Sequence, residues 1–170
     1  MEALYYYQYE SPIGSLLLVS YQQKLVSLQF GTFEDNEKEL ITWAGKYNLP
    51  TVLLESKQVL AKVVQQLEEY FNNDRKTFSI EYTFYGTTFQ RKVWQALAEV
   101  SYGTTCSYLD IAQSIDAPKA VRAVGGANNK NPISIIIPCH RIIGKNGKLV
   151  GYGGGLDKKE YLLALENAEA

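Results

Sequence analysis

The stretch Asp116-Ala117-Pro118-Lys119-Ala120-Val121-Arg122-Ala123-Val124-Gly125-Gly126-Ala127-Asn128 decides how this chain is read. Asp116-Ala117-Pro118 is a tight connection, and Pro118, with φ fixed near the helical value, suits the first turn of a helix from Lys119 to Asn128. Just upstream, Ser107 with Asp110 three residues on forms a capping box for a short helix through Ile115. Helix, three-residue turn and helix is the helix-turn-helix plan, a spacing also found in small bundles that touch no nucleic acid. The second helix narrows the choice. A major-groove reader needs several polar side chains at base edges, whereas this helix presents mainly Ala123, Gly125, Gly126 and Ala127 around a single Arg122. Small residues permit close backbone approach, either to a minor groove or to a neighbouring helix. Two successive glycines cost about 1 kcal/mol each inside a helix, so close contact with something is expected.

Working outward, Thr87 with Gln90 forms another capping box, opening a helix that carries Phe89, Val93, Trp94 and Leu97 and ends at the turn Ser101-Tyr102-Gly103. After Asn129-Lys130-Asn131-Pro132, the run Ser134 to Ile137 reads as a buried strand and Arg141 to Gly144 as a second. Asn146-Gly147, within Lys145-Asn146-Gly147-Lys148, signals a hairpin that would form a wing beside the helix-turn-helix. Gly151 to Gly155 reads as a flexible loop, and a last helix runs from about Leu156 to Asn167.

Between the two predicted strands, Ile137-Pro138-Cys139-His140-Arg141-Ile142-Ile143 places one of only two cysteines beside the only histidine. A thiol becomes a strong nucleophile when a base or positive charge favours the thiolate, and an imidazole and a guanidinium follow Cys139 directly. The alternative is a buried structural cysteine. Cys106 and Cys139 follow no zinc-like spacing, and one histidine does not complete a tetrahedral site with them, so no metal is expected.

The first half begins with Leu4 to Tyr9, a turn over Ser11 to Gly14, then Leu16 to Tyr21 and Leu25 to Phe30, which together read as an antiparallel meander. Residues 35–48 read as a helix. Val59, Leu60, Val63, Val64, Leu67, Tyr70 and Phe71 recur at three and four, the mark of an amphipathic helix. Thr77 to Phe84 reads as a further strand. No catalytic constellation occurs here. Composition changes near Tyr85-Gly86, so we expect an N-terminal scaffold domain over 1–84 and a second domain over 85–170. The fold class is then α/β of the α+β type: an antiparallel sheet with flanking helices, followed by a mostly helical domain with a winged helix-turn-helix.

At 170 residues, 46% hydrophobic and 21% charged, the chain is long enough for one full core or two small ones, and disorder is not expected. The N-terminus is tyrosine-rich and acidic rather than basic then apolar, and no apolar run approaches the roughly 18 residues that cross a bilayer. A cytoplasmic protein with no membrane partner is expected, where reducing conditions keep Cys139 a thiol. The net charge of -1 hides an asymmetry: residues 1–83 hold 7 Lys+Arg against 11 Asp+Glu, residues 84–170 hold 10 against 7. A polyanion would choose the second half, although an excess of +3 does not argue for nucleic acid unaided.

The residues Phe89-Gln90-Arg91-Lys92-Val93-Trp94, Ser107-Tyr108, Arg122 to Ala127, Asn131-Pro132, Ile137 to Ile143 and Leu162-Leu163-Ala164-Leu165-Glu166 resemble, in order and spacing over about 80 residues, the active domain of the O6-alkylguanine-DNA alkyltransferases, also called methylated-DNA-protein-cysteine methyltransferases. The first half is more weakly similar to the family's variable N-terminal domain. The resemblance implies a partner, double-stranded DNA containing alkylated guanine or thymine, engaged through the minor groove by a monomer without cofactor. An alkyl group on guanine O6 points into the duplex, so the nucleotide must be turned out, with Arg122 filling the gap. The remaining DNA contacts it implies are Ala123, Gly125, Gly126, Ala127 and Asn128.

The resemblance further implies that Cys139 attacks the alkyl carbon and keeps it as a thioether. Activation would run from Cys139 through a bridging water to His140 and Glu166. Adjacent residues of a strand point opposite ways, so direct Cys139–His140 contact is not expected. Tyr108 would protonate the departing purine, and Asn131 would brace the cysteine loop. Pro138, Ile142, Tyr152, Gly153 and Gly154 would wall the pocket. Gly153 stands where many members carry a serine, which weakens leaving-group polarisation and leaves room for bulkier alkyl groups. Two other classes stay open: a cysteine hydrolase, which would turn over and need an oxyanion hole, and a lesion-binding protein without chemistry, from which the retained Cys139 argues away.

Overall fold

The structure is a computed structural model that describes residues 2–144, 149 and 151–167, and the predicted hairpin turn at Lys145 to Lys148, with the wing it would make, lies outside them. The chain forms two compact units, Met1–Tyr85 and Gly86–Ala170.

In the first unit, β1 (Leu4–Ser11), β2 (Gly14–Tyr21) and β3 (Lys24–Phe30) form the antiparallel meander. The β2–β3 turn is made by Gln22 and Gln23, both in the left-handed region at φ 50° and 66°, the backbone that matches strand twist in a two-residue hairpin. A short β4 (Leu53–Glu55), too brief to show alternation in the sequence, pairs parallel with β1, so the sheet is mixed, in the order β3-β2-β1-β4. Leu16 to Val19 of β2 are all buried, because successive side chains point to opposite faces and both faces are covered. One face, Leu17, Val19 and Val26, packs on Leu40 and Ala44 of α1 (Phe33–Lys46), which opens on a Thr32/Asp35 capping box. Helix α2 (Ala61–Phe71) buries Val63, Val64, Leu67, Tyr70 and Phe71 of the predicted stripe; Leu60 is its buried N-cap, while Val59 precedes the helix and is exposed.

The expected strand Thr77 to Phe84 is not formed. One parallel bridge joins Tyr82 to Leu25, closed by Leu25 N–H to Glu81 O at 3.0 Å and Thr83 N–H to Leu25 O at 3.0 Å. The segment has strand composition but crosses a sheet edge at a single point.

The second unit holds α3 (Thr88–Ala98), α4 (Tyr108–Ser114), α5 (Val121–Asn129) and α6 (Leu156–Leu165). Both capping boxes predicted here are present, Thr87/Gln90 on α3 and Ser107/Asp110 on α4. Trp94 of α3 donates to the Ala127 carbonyl of α5 at 2.8 Å, which locks the two helices. Helices α4 and α5 make the helix-turn-helix, with a longer connection than expected. Ile115 caps α4, Asp116 takes φ 59°, and the Ala117 N–H returns to Ala112 O at 2.8 Å while that of Asp116 reaches Gln113 O at 3.1 Å. This is a Schellman closure with Asp in the glycine place. Pro118 consequently lies in a separate turn, closed by Ala120 N–H to Ala117 O, and α5 starts at Val121 rather than Lys119.

The β-branched run Ser134 to Ile137 is not a strand either. It folds as successive tight turns, with Ile136 N–H to Ser134 O at 2.8 Å, Ile137 N–H to Ile133 O at 3.0 Å and Ile135 at φ 70°. A left-handed β-branched residue is an outlier costing on the order of 1–3 kcal/mol, sustained only where its surroundings over-determine it. Those surroundings are the Asn131 side chain, which accepts from Ile133 N–H at 3.0 Å and donates to Ile137 O at 2.7 Å. Cys139–Arg141 then forms a 3₁₀ turn, and in place of the strand Arg141 to Gly144 a single parallel bridge joins Ile142 to Cys106. Among the described residues no helix is long and apolar enough to cross a membrane.

Candidate active site

The 3₁₀ turn presents Cys139 4% exposed and His140 fully buried. Because the backbone turns rather than extends, the two side chains are not forced to opposite faces, and the sequence argument from strand geometry does not apply. The turn is fixed on three sides. Asn131 staples the approach, Cys106 N–H bonds to Arg141 O and Ile143 N–H to Cys106 O, each at 2.9 Å, and α6 packs against it.

Glu166, at the end of α6, gathers the donors. His140 Nε2 lies 2.7 Å from Oε2, Arg141 Nε and Nη2 donate at 2.8 and 3.0 Å, and the Gly103 N–H reaches Oε1 at 3.4 Å. Burial alone would raise the Glu166 pKa, but the bonds from His140 and Arg141 outweigh it and hold this carboxyl well below the ordinary range. Arg141 also donates to Val100 O at 2.6 Å and lies over the Tyr102 ring, so the guanidinium serves Glu166 rather than the thiolate. His140 is pushed down by burial, with the Arg141 and Lys159 charges adding to that and Glu166 opposing it. Paired to a carboxylate through Nε2, the neutral imidazole carries its proton there and turns the Nδ1 lone pair toward acceptance, and Nδ1 meets no donor among the described residues.

Burial pushes the Cys139 thiol up to about 11; the Asn131 amide, the Lys159 charge, its own backbone N–H and the Tyr152 hydroxyl all pull the other way. Tyr108, at the first position of α4, is raised by burial and by the Cys139 charge, and a Cβ placed on Gly125 would lie 3.8 Å from its ring. One tyrosine thus lies within electrostatic reach of Cys139 and packs at Gly125 of α5. On α5, Arg122, Ala123 and Gly126 are exposed.

Ala127 and Asn128 are buried on α5, and Ile142 is fully buried. Gly153 is exposed with nothing within 4 Å of an added Cβ, Gly154 and Tyr152 are half-buried, and Pro138 is buried. One residue escaped the sequence reading. Lys159 is completely buried and donates to the Ile142 carbonyl, and its spacing from Leu162, Leu163 and Glu166 puts it on the apolar stripe of α6, a signal available in the sequence.

Known proteins resemble both halves of this architecture. The family model for the 6-O-methylguanine DNA methyltransferase DNA-binding domain matches residues 88–168, and that for its ribonuclease-like domain matches residues 4–84. The methylated-DNA–protein-cysteine methyltransferase of Methanosarcina acetivorans is 45% identical over 165 residues, covering 97% of this chain and 99% of its own. This chain belongs to the methylated-DNA–protein-cysteine methyltransferase family. The family member from Haemophilus influenzae is 46% identical over 98% of this chain and 88% of its own. A crystal structure of Mycobacterium tuberculosis O6-methylguanine methyltransferase superposes with a TM-score of 0.83 at 40% identity, covering 98% of this chain and 94% of that one. A second, of M. tuberculosis OGT in complex with DNA, gives 0.82 at 39% identity, covering 99% and 96%.

Proposed function

We propose that this methyltransferase repairs DNA by moving the alkyl group of O6-alkylguanine, and of O4-alkylthymine, onto its own Cys139, once per molecule. The observation that carries this reading is the position of Tyr108, within electrostatic reach of Cys139 and packed at Gly125 of α5, whose Arg122, Ala123 and Gly126 are exposed. The Arg122, Ala123 and Gly126 face of α5 allows the close approach a minor groove requires, and Arg122 fills the stack after the damaged nucleotide is turned out.

In the reaction, the Cys139 thiol gives its proton through water to His140 Nδ1, which Glu166 orients. The thiolate sulfur bonds to the alkyl carbon as the bond from carbon to purine oxygen breaks, leaving its electron pair on the base. Tyr108 gives the purine a proton and regains one from the imidazolium, so the sum is thiol plus alkylguanine giving thioether plus guanine. Asn131 holds the cysteine loop and bonds toward the sulfur, and Tyr152 with Gly153, Gly154 and Pro138 bounds the base. A thioether has no ready hydrolytic route, which makes transfer irreversible. Residues 85–170 carry binding and chemistry, 1–84 act as scaffold, and the protein works as a monomer in the cytoplasm or on the nucleoid.

Replacing the nucleophile tests the reading: Cys139→Ala abolishes transfer from a methylated oligonucleotide and keeps DNA binding within about twofold, and residual transfer refutes the assignment. The open space at Gly153 favours large alkyl groups. Transfer from benzylguanine should therefore stay within about tenfold of that from methylguanine, whereas failure on the larger group contradicts a widened pocket.

A further inference from the structure

Helix α5 carries a buried polar side chain that the chemistry above does not use. Asn128 is 3% exposed, and its Oδ1 meets no donor among the described residues. The Asn128 backbone carbonyl accepts from Asn131 N–H at 3.3 Å, so the missing bond belongs to the side chain. An acceptor sealed from water without a donor forfeits its hydration and gains nothing in return, which points to a partner that arrives with the substrate.

Its neighbours along the chain frame the base site. Gly125, three residues back and so on the same side of α5, faces the Tyr108 ring, 3.8 Å from an added Cβ. Asn129 abuts Gly151, which opens the loop that bounds the base, with Oδ1 3.4 Å from an added Cβ there. Asn131 donates to Ile137 O in the cysteine loop and bonds toward the sulfur. Asn128 thus sits on the stretch of chain that joins the proton donor, the pocket loop and the nucleophile. Cys139 is closed to a similar degree, at 4%, so an entering base displaces its cover in any case.

We propose that Asn128 is a specificity-determining residue whose Oδ1 accepts from the 2-amino group of the extruded guanine, which favours guanine lesions over bases without that amine, O4-alkylthymine among them. This rests on the alkyl-transfer reading of the site and names what that site prefers. The chemistry of the two lesions differs at this point. Alkylation at O6 leaves ring N1 unprotonated, so the 2-amino group is the N–H donor that remains on the purine. O4-alkylthymine has N3 unprotonated and no exocyclic amine, so it leaves Oδ1 unpaired. A site built around a buried hydrogen bond rejects the analogue that lacks the donor far more strongly than an apolar wall rejects a missing methylene. No proton moves on Asn128, and the transfer step keeps the balance given above.

O6-methylguanine and O6-methylhypoxanthine differ by the 2-amino group alone, and each is placed opposite an abasic site so that pairing strength does not enter. Single-turnover transfer by the full chain should be at least about tenfold faster on methylguanine. In Asn128→Leu, similar in size and without polar side-chain atoms, that ratio should fall to about one, whatever the change does to both rates together, and the ratio of methylguanine to O4-methylthymine should drop by a similar factor. A ratio kept in the variant, as a buried water or a packing role at Asn128 would give, overturns the proposal, and so does a wild-type ratio within about twofold of one. Should Asn128→Leu not fold, Asn128→Ala is read in the same way. Cys139→Ala, which transfers nothing, reads the contact by fluorescence anisotropy: it should bind the methylguanine duplex about fivefold tighter than the methylhypoxanthine duplex, and equal affinity overturns the contact. Wild type that takes no alkyl group from methylguanine overturns the alkyl-transfer reading instead, and the binding ratio still decides the contact.

Discussion

At the residue scale, the decisive object is the carboxylate of Glu166 with the four donors of His140, Arg141 and Gly103 upon it. Removing one partner of a buried ion pair leaves the other uncompensated, so Glu166→Gln should lower unfolding stability by about 3–5 kcal/mol in chemical denaturation. The pH dependence follows from two depressed pKa values. Below about pH 6.5 the unfolded chain takes up a proton that folded His140 refuses, and stability begins to fall. The Glu166 contribution is full above its unfolded value of about 4.3 and is lost as pH drops through the lower folded value. The stability gap between wild type and Glu166→Gln should therefore be constant above about pH 5.5 and shrink below about pH 4; a gap that stays flat into acid contradicts the pairing. Sequence showed Cys139 and His140 side by side, because adjacency is a property of the chain. It did not show that Arg141 turns to Glu166 25 residues away, because that depends on how α6 packs, whereas the buried face of Lys159 was open to reading from its spacing to Leu162, Leu163 and Glu166.

At the element scale, helices were legible and short strands were not. Capping boxes at Thr87 and Ser107 are local and read directly, and so is the apolar stripe of α2. Ser134 to Ile137 has strand composition, but the Asn131 side chain supplies partners that a sheet would otherwise provide and the segment closes into turns. Composition cannot register a competing side-chain acceptor. Likewise β4 is three residues, and its pairing with β1 is set by the tertiary fold. Helix α5 offers a test that separates fold from function. Gly126 is exposed with nothing within 4 Å of an added Cβ, so Gly126→Leu should leave stability unchanged or raise it by up to about 1 kcal/mol. The same change should weaken DNA binding at least about tenfold, because the leucine stands where a groove wall must come close. Unchanged affinity in a fluorescence-anisotropy titration contradicts the assignment of this face.

At the scale of the whole molecule, the acidic first half and basic second half, -4 and +3, direct a polyanion to residues 84–170 without specifying one. The proposed reading specifies DNA from the co-location in a single unit of α5 with its exposed Arg122, Ala123 and Gly126, a tyrosine at Gly125 and a buried thiol next to a buried histidine. A reaction whose product is a thioether on the protein consumes the protein, and that sets it apart from any hydrolase using the same cysteine and histidine. The direct measurement is the intact mass of the protein, with peptide mapping, after incubation with excess oligonucleotide carrying O6-methylguanine. The account predicts a gain of one methyl group, located on Cys139, and a yield of repaired guanine that stops at one per protein molecule. Repair that continues past that yield, or a methyl group found on any other residue, would contradict it.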